Sequence, residues 1–248
     1  MPINLKNYLR LCFMPGTDLF TRRRVRLCRH WLKGSRYVLD AGSGNGWFSY
    51  LAYRSGATVT AINISQEQVE KACDFYNAWL KIPPARLKFN HLNIYDIERM
   101  GIMFDEIICY ETLEHLRDDV KVCSLFWKVL RRGGILHLCC PNARHPRWQN
   151  EVLDTQEKGG HIRSGYTLDT YRNLLQPLGF KILHAEGMGG PILTNVWLFI
   201  QNIRQYLGNI FCLPFVFLAL PLARFDSVAF DSSYSIYVKA VKPASSGR

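Results

Sequence analysis

Apolar positions along the chain alternate between two spacings. Compact apolar runs at 37–42 (YVLDAG), 57–64 (ATVTAINI), 86–94 (RLKFNHLNI), 104–110 (FDEIICY), 133–140 (GGILHLCC), 180–187 (FKILHAEG) and 234–242 (YSIYVKAVK) predict strands. Between them, 47–54, 66–80, 120–130 and 168–178 carry apolar residues three and four apart and predict helices, the last stopped by Gly179. Strands alternating with helices predict an α/β fold, with an open, doubly wound, mostly parallel sheet covered on both faces. In such sheets ligands gather at the carboxyl ends of the strands.

Two regions break the rhythm. Thr17 or Asp18 is placed to cap a helix running to about Trp31, with Phe20, Leu27, Cys28, Trp31 and Leu32 on one side and arginines on the rest. Residues 191–226 show helical spacing in their first half. The second half, IFCLPFVFLALPLA, is nearly all apolar, interrupted by Pro214 and Pro221 and too short to span a bilayer, which needs about 20 residues. That segment reads as a buried helical pair, a lid over a substrate, or an element lying in a membrane surface. The expected organisation is a basic helical extension (1–34) and one α/β domain (35–248), with a helical apolar insertion at 188–228 before the last strand.

Composition narrows the class. Hydrophobic residues make up 48% and charged residues 21% of the 248, which predicts a packed core. The eight cysteines form no C-x-x-C pair, and Cys109, Cys139 and Cys140 fall inside apolar runs. They read as reduced core thiols rather than zinc ligands or a disulfide frame. MPINLKNYLRLCFMPG has no apolar stretch followed by small residues, so a cytoplasmic protein is expected, with peripheral membrane contact as an open possibility. The charge of +11 is uneven: residues 1–36 hold nine Lys/Arg and one acid, leaving 22 basic and 19 acidic groups elsewhere. The basic signal therefore belongs to the N-terminal segment, as a solvated helix face or as a contact for phosphate, lipid head groups or RNA.

The stretch VLDAGSGNG holds the most informative chemistry. Gly42, Gly44 and Gly46 let the backbone turn sharply beside a ligand, and the next helix presents free N–H groups. The spacing G-x-G-x-G differs from the dinucleotide fingerprint, and Asp40 beside the loop suits a cation better than a pyrophosphate, which disfavours a nicotinamide enzyme. Together with FDEIICYETLEHL and LRRGGILHL, the loop resembles the class I S-adenosylmethionine-dependent methyltransferases, nearest the broad type 11 group, over about 36–140 and again in the final strands. The resemblance implies a Rossmann-like sheet of seven strands whose last strand pairs antiparallel, and S-adenosylmethionine as cofactor. It places Asp40, Gly42, Gly44 and Gly46 at the methionine and ribose parts. Asn63 stands where the family usually has an acid for the ribose hydroxyls, and Asn93 where it has one for the adenine amino group, with Asp96 as an alternative. Ile64 and Ile94 would flank the adenine, and Tyr110 is counted with the cofactor residues. An amide accepts without charge assistance, roughly half as strongly. Asn63 and Asn93 also read simply as turn residues, and Ser65 with Gln68 as a capping box.

Methyl transfer to a hydroxyl requires a base or a metal. Glu111, Glu114 and His115 form E-x-x-E-H after the fourth strand, a set suited to a divalent cation, with His145 or His161 as a fourth ligand. The pattern is similar to that of small-RNA 2′-O-methyltransferases and ubiquinone-pathway O-methyltransferases, where it holds a metal; E-H-L also occurs in members without one. The expected catalytic set is His115, His161 and Glu111, without metal. In HIRSGYTL, His161, Arg163 and Tyr166 either meet substrate or pack the loop, with Thr167 as a helix cap. His30, His91, His137 and His184 read as satisfied core or surface residues. The expected function is methylation, at oxygen, of a small or lipid-linked acceptor. An RNA 2′-O-methyltransferase and a non-catalytic scaffold are the rivals.

Overall fold

The computed structural model describes residues 5–14, 18–34, 36–149, 151–157, 159–222, 226 and 228–244. Thr17 lies outside them; Asp18 caps the helix, accepting from the Phe20 amide. In chain order come α1 (Leu5–Phe13), α2 (Leu19–Arg24), β1 (Tyr37–Ala41), α3 (Trp47–Arg54), β2 (Thr58–Asn63), α4 (Gln66–Ala72), β3 (Leu87–His91), β4 (Phe104–Tyr110), α5 (Asp119–Val129), β5 (Leu130–Pro141), α6 (Pro146–Gln149), α7 (Leu168–Leu175), β6 (Lys181–Met188), α8 (Pro191–Leu207), α9 (Asn209–Leu222) and β7 (Ser235–Val241). The seven strands form one sheet in the order β3-β2-β1-β4-β5-β7-β6. The first five pair in parallel, and β7 runs antiparallel between β5 and β6.

Successive strand residues point to opposite faces. Leu39 and Ala41 enter one core cluster and Val38 the other, which is why these strands read as continuous apolar runs. One polar network crosses the sheet. Glu106, fully buried in β4, takes Arg36 on one oxygen, and His137 Nε2 (2.7 Å) and the Leu32 amide (2.9 Å) on the other; His137 Nδ1 meets the Tyr237 hydroxyl at 2.7 Å. Burial alone would raise the Glu106 pKa, but His137 and Arg36 outweigh it and hold the carboxyl below its ordinary value.

The departures from the periodicity are local. The helix expected to Trp31 is α only to Arg24 and continues as a 3-10 turn over Val25–His30. That turn drops Leu27 and Trp31 into the core behind β1. The helix from Gln66 widens to π turns over Cys73–Trp79, seating Phe75 and Tyr76 in the same core. Pro214 and Pro221 do not interrupt the second half of the insertion: α9 runs through both. Cys212, Val216 and Ala219 pack it with Leu193 and Ile200 of α8 in a third cluster, which also takes Leu19 and Phe20 of α2. Tertiary packing here supports a helix that propensity alone would break.

Candidate active site

The turn after β1 is shaped by close approach. Gly42 (φ +81°) and Ser43 both donate to the Ile62 carbonyl, at 3.1 and 3.0 Å. A Cβ on Gly42 would stand 2.2 Å from Thr112 Oγ1, and one on Gly46 (φ +78°) would meet the Tyr76 and Phe89 rings at 2.7 and 2.8 Å. Only glycine fits both positions. Beside this loop lies a cavity of about 280 Å³ at the strand ends, lined by Gly42, Gly44, Asn63, Ile64, Asn93 and Ile94 together with Gln68, Leu92, Glu111, Thr112, His115, Leu116 and Glu157.

Three residues assigned to the cofactor from sequence stand elsewhere. Asp40 is buried behind the loop, where it accepts from Ser49 Oγ; burial pushes it up to about 6, with Ser49 pulling the other way. Gly46 caps α3 under two aromatic rings. Tyr110 belongs to the core, its hydroxyl 3.3 Å from Trp31 Nε1. Alternation along β1 and β4 decides this for Asp40 and Tyr110, since a strand-end residue faces whichever layer its register dictates. Asp96 stays outside the cavity lining and pairs with Arg99 at 3.2 Å. Asn63 and Asn93 line the cavity while also serving as turn residues. Asn63 accepts from the Ser65 amide and donates to Gln68 Oε1 (2.9 Å), and Asn93 caps the next turn through the Tyr95 amide. The Gln68 side chain thus turns to Asn63, while Ser65 accepts from the Gln68 amide.

After β4 the chain bends sharply. Glu111 takes the left-handed conformation (φ +49°), a strained state for a residue with a side chain. It forms an ion pair with Arg24 of α2 at 2.8 Å. Glu111 also lines a second cavity, of about 250 Å³, with Asp18, Phe20, Arg24, Trp197, Gln201, Arg204 and Tyr234. Phe20 stacks on Tyr234 at 3.7 Å, and Trp197 leans on both. No spacing in the chain announces this cavity: its walls come from α2, the end of β4, α8 and the approach to β7.

Glu114 is fully buried, and its side-chain oxygens meet no nitrogen or oxygen donor, with the Cys140 thiol beside them. Burial first, and Glu111 second, push its carboxyl well above the ordinary range. Its carbonyl accepts from the Ile162 amide at 2.8 Å, which holds the 151–166 loop against the turn. His115 places Nδ1 2.9 Å from the Gly160 carbonyl, and burial lowers its pKa. Nδ1 therefore carries the proton, leaving Nε2 as a free base. His161 packs edge-on to His115 (4.8 Å) and bonds Glu151 Oε2 through Nδ1 at 2.7 Å. Arg163 and Tyr166 are spent on the loop itself. Arg163 pairs with Asp119 and donates to the carbonyls of Leu116 and Arg117, and the buried Tyr166 donates to Asp119 at 2.6 Å.

Two residues of the E-x-x-E-H set fit a cation. Ligand atoms of Glu114, His115 and His161 all lie within 4.8 Å of one another, whereas Glu111 is held by Arg24 and His145 stands apart beside Tyr234.

Comparison with known proteins bears on this geometry. The model of a methyltransferase domain family matches residues 16–185. A ubiquinone biosynthesis O-methyltransferase of Dinoroseobacter shibae is 25% identical over 204 residues, covering 79% of this chain and 80% of the relative. A 27-O-demethylrifamycin SV methyltransferase of Amycolatopsis mediterranei is 32% identical over 160 residues, covering 62% of this chain and 57% of the relative. Phosphoethanolamine N-methyltransferase 2 of Haemonchus contortus, solved in complex with S-adenosyl-L-methionine, superposes with a TM-score of 0.63 at 18% identity, over 90% of this chain and 53% of that one. The [4+2]-cyclase SpnF gives 0.60 at 20% identity, over 92% and 81%. These two share the fold, and the cyclase shows that the fold alone does not name a reaction. The glycine loop, the cavity at the strand ends and the strand order all agree with the family match: the chain belongs to the methyltransferase domain family, as a class I S-adenosylmethionine-dependent methyltransferase.

Proposed function

We propose that the protein methylates a hydroxyl of a small or lipid-linked acceptor seated in the second cavity. One observation carries this reading: Glu111 is a wall of both cavities, so a group reaching the end of the second meets the cofactor cavity there. The aromatic wall of Phe20, Tyr234 and Trp197 suits an apolar or planar acceptor. Both curated relatives have names that concern oxygen methylation. S-adenosylmethionine supplies a methyl already activated by its sulfonium, so the chain's task is alignment, exclusion of water and removal of one proton. Gly42, Gly44, Asn63 and Asn93 hold the cofactor, with the Asp40 carboxylate favouring its cationic charge from behind the loop. His115 Nε2 takes the acceptor proton, and His161 with Glu151 keeps the imidazole in place. Arg24 positions Glu111.

The Glu114–His115–His161 group favours a second reading, in which a divalent cation lowers the hydroxyl's pKa in place of the base. Its support is the buried Glu114 carboxyl, which meets a weak thiol donor, Cys140, and no nitrogen or oxygen donor. Labelled S-adenosylmethionine, incubated with the protein and a cell extract and then partitioned between organic and aqueous phases, tests the acceptor. Methyl ethers in the organic phase or on small aqueous molecules are expected. Label on RNA alone sinks the reading, and absence of any thermal shift with S-adenosylhomocysteine leaves a scaffold. Chelator separates the two chemistries: insensitivity supports His115 as base, and loss rescued by magnesium or zinc supports the cation.

A further inference from the structure

The α8–α9 hairpin has an outer face that the described residues leave uncovered. In α9, Cys212, Val216 and Ala219 are buried. The opposite stripe is Phe211, Pro214, Phe215 and Leu218, with Phe211 62% and Leu218 69% exposed. A surface helix ordinarily carries polar side chains on that stripe. Phe199 of α8 meets Phe215 edge-on at 5.8 Å, so the apolar surface continues across both helices. Tyr206, at the end of α8, is 82% exposed. A patch of this kind marks a contact with something outside the fold.

Charge selects the partner. Residues 191–222 contain no Asp or Glu, and Arg204 is their one charged residue. Arg22 lies 5.9 Å from the ring of Phe217, on the flank of the patch, and Arg147 lies 4.6 Å from the ring of Trp197, on the cavity side of α8. The N-terminal segment beyond them is strongly basic. An apolar face without acids, bordered by cations, complements an anionic lipid surface. Length excludes a span: the 14 residues of α9 rise about 21 Å, against a hydrocarbon core of about 30 Å, and among the described residues no helix is long and apolar enough to cross.

We infer that the outer face of the α8–α9 hairpin docks on an anionic lipid surface, with Arg22 at its edge and Arg147 and Arg204 beside the second cavity adding positive charge, and that the acceptor enters the second cavity from that surface. Trp197, Gln201 and Arg204, which line the cavity, stand on the side of α8 opposite Phe199 and Tyr206, so cavity and outer face are separated by about one helix diameter, ~10 Å. The entry step rests on the acceptor reading given above; the docking does not.

Co-sedimentation of the full chain with phosphatidylcholine vesicles, with and without one quarter phosphatidylglycerol, tests the docking. The chain should pellet with the anionic vesicles and weaken with salt. Phe211→Ser with Leu218→Ser should weaken binding at least tenfold without moving the melting temperature or S-adenosylhomocysteine affinity. Arg147→Glu, a charge reversal at an exposed position, should weaken it several-fold with the patch intact. Wild type left in the supernatant, or equal binding by the double variant, overturns the inference. So does a concentration-dependent dimer that the double variant abolishes, which would make a second copy the occupant. Labelling of a lipid extract in detergent separates the two layers: docking without labelled lipid sinks the entry step and the lipid-linked acceptor, and labelled lipid without docking sinks the surface alone.

Discussion

The two cavities that share Glu111 are built in opposite ways. The cofactor cavity draws mainly on turns that directly follow β1, β2, β3 and β4, each carrying its own local reason for its shape, with Glu157 added from the loop after α6. The second cavity has no local unit. Asp18, Phe20 and Arg24 reach it from the first helices, Trp197 and Arg204 from the hairpin, and Tyr234 from the approach to the last strand. A site assembled from strand-end turns is held by the sheet register. A site assembled from distant elements is held by their mutual packing, here the stacked Phe20–Tyr234 pair and the Arg24–Glu111 ion pair. Substitutions should therefore separate the two: changes in the loops act on cofactor affinity, and changes at the packing contacts act on stability and on the acceptor together.

The largest effect is expected at the junction. His115→Ala should lower kcat by roughly 10²–10⁴, the usual contribution of a general base, with S-adenosylhomocysteine affinity by calorimetry changing far less. A cofactor affinity that falls as far as kcat would assign His115 to cofactor binding alone. Arg24→Ala leaves Glu111 without its cation. Because Glu111 keeps part of its side chain open, the loss in denaturant stability should sit at or below the lower end of the roughly 3–5 kcal/mol seen for buried pairs. Acceptor KM should rise as well, with cofactor affinity nearly unchanged; the reverse pattern would erase the distinction between the cavities.

On the cofactor side, Gly42→Ala forces a side chain against Thr112 in a left-handed conformation, a strain of about 1–3 kcal/mol before the clash is counted. Relief requires the loop to shift, so S-adenosylhomocysteine should bind about tenfold or more weakly. Asp40 supplies the pH test. Its folded pKa, raised by burial to about 6, exceeds the ordinary value near 3.8, so ionising it costs the ligand-free protein stability as pH rises through 6. A cationic ligand restores that loss. The melting-temperature gain from S-adenosylmethionine should thus be larger at pH 7.5 than at pH 5, and a gain independent of pH would remove Asp40 from cofactor recognition. The smallest effect is expected at Asn63→Asp. Charge assistance at the ribose hydroxyls is worth about 1 kcal/mol, roughly a fivefold gain in affinity, reduced by losing the bond to Gln68.

Much of the sheet and of one cavity is legible along the chain. All seven strands overlap the predicted apolar runs, and β4 occupies 104–110 as the periodicity predicts, while β5 begins at Leu130, ahead of the run expected from 133. Strands buried on both faces leave that trace in any context. The N-terminal helix is less legible. α1 falls within the helical extension expected at 1–34 without bounds of its own, and the stretch to Trp31 tightens to a 3-10 turn because Leu27 and Trp31 must reach the core. Pro214 and Pro221 mislead for the same reason: the third core cluster, not local propensity, supports α9.

The sequence by itself determined the alternation that makes the sheet, the glycine loop with its acid, the amides at the ends of β2 and β3, and the uneven charge. Each depends on neighbours within a few residues, where sterics and periodicity act directly. Tertiary structure alone decided which strand-end residues face the cavity and which face the core. It also gave Glu111 to Arg24, 87 positions away, brought His161 rather than His145 to Glu114 and His115, and turned an apolar insertion into a hairpin with one packed and one open face. Contacts between distant segments depend on how whole layers dock, and no short stretch of sequence carries that information.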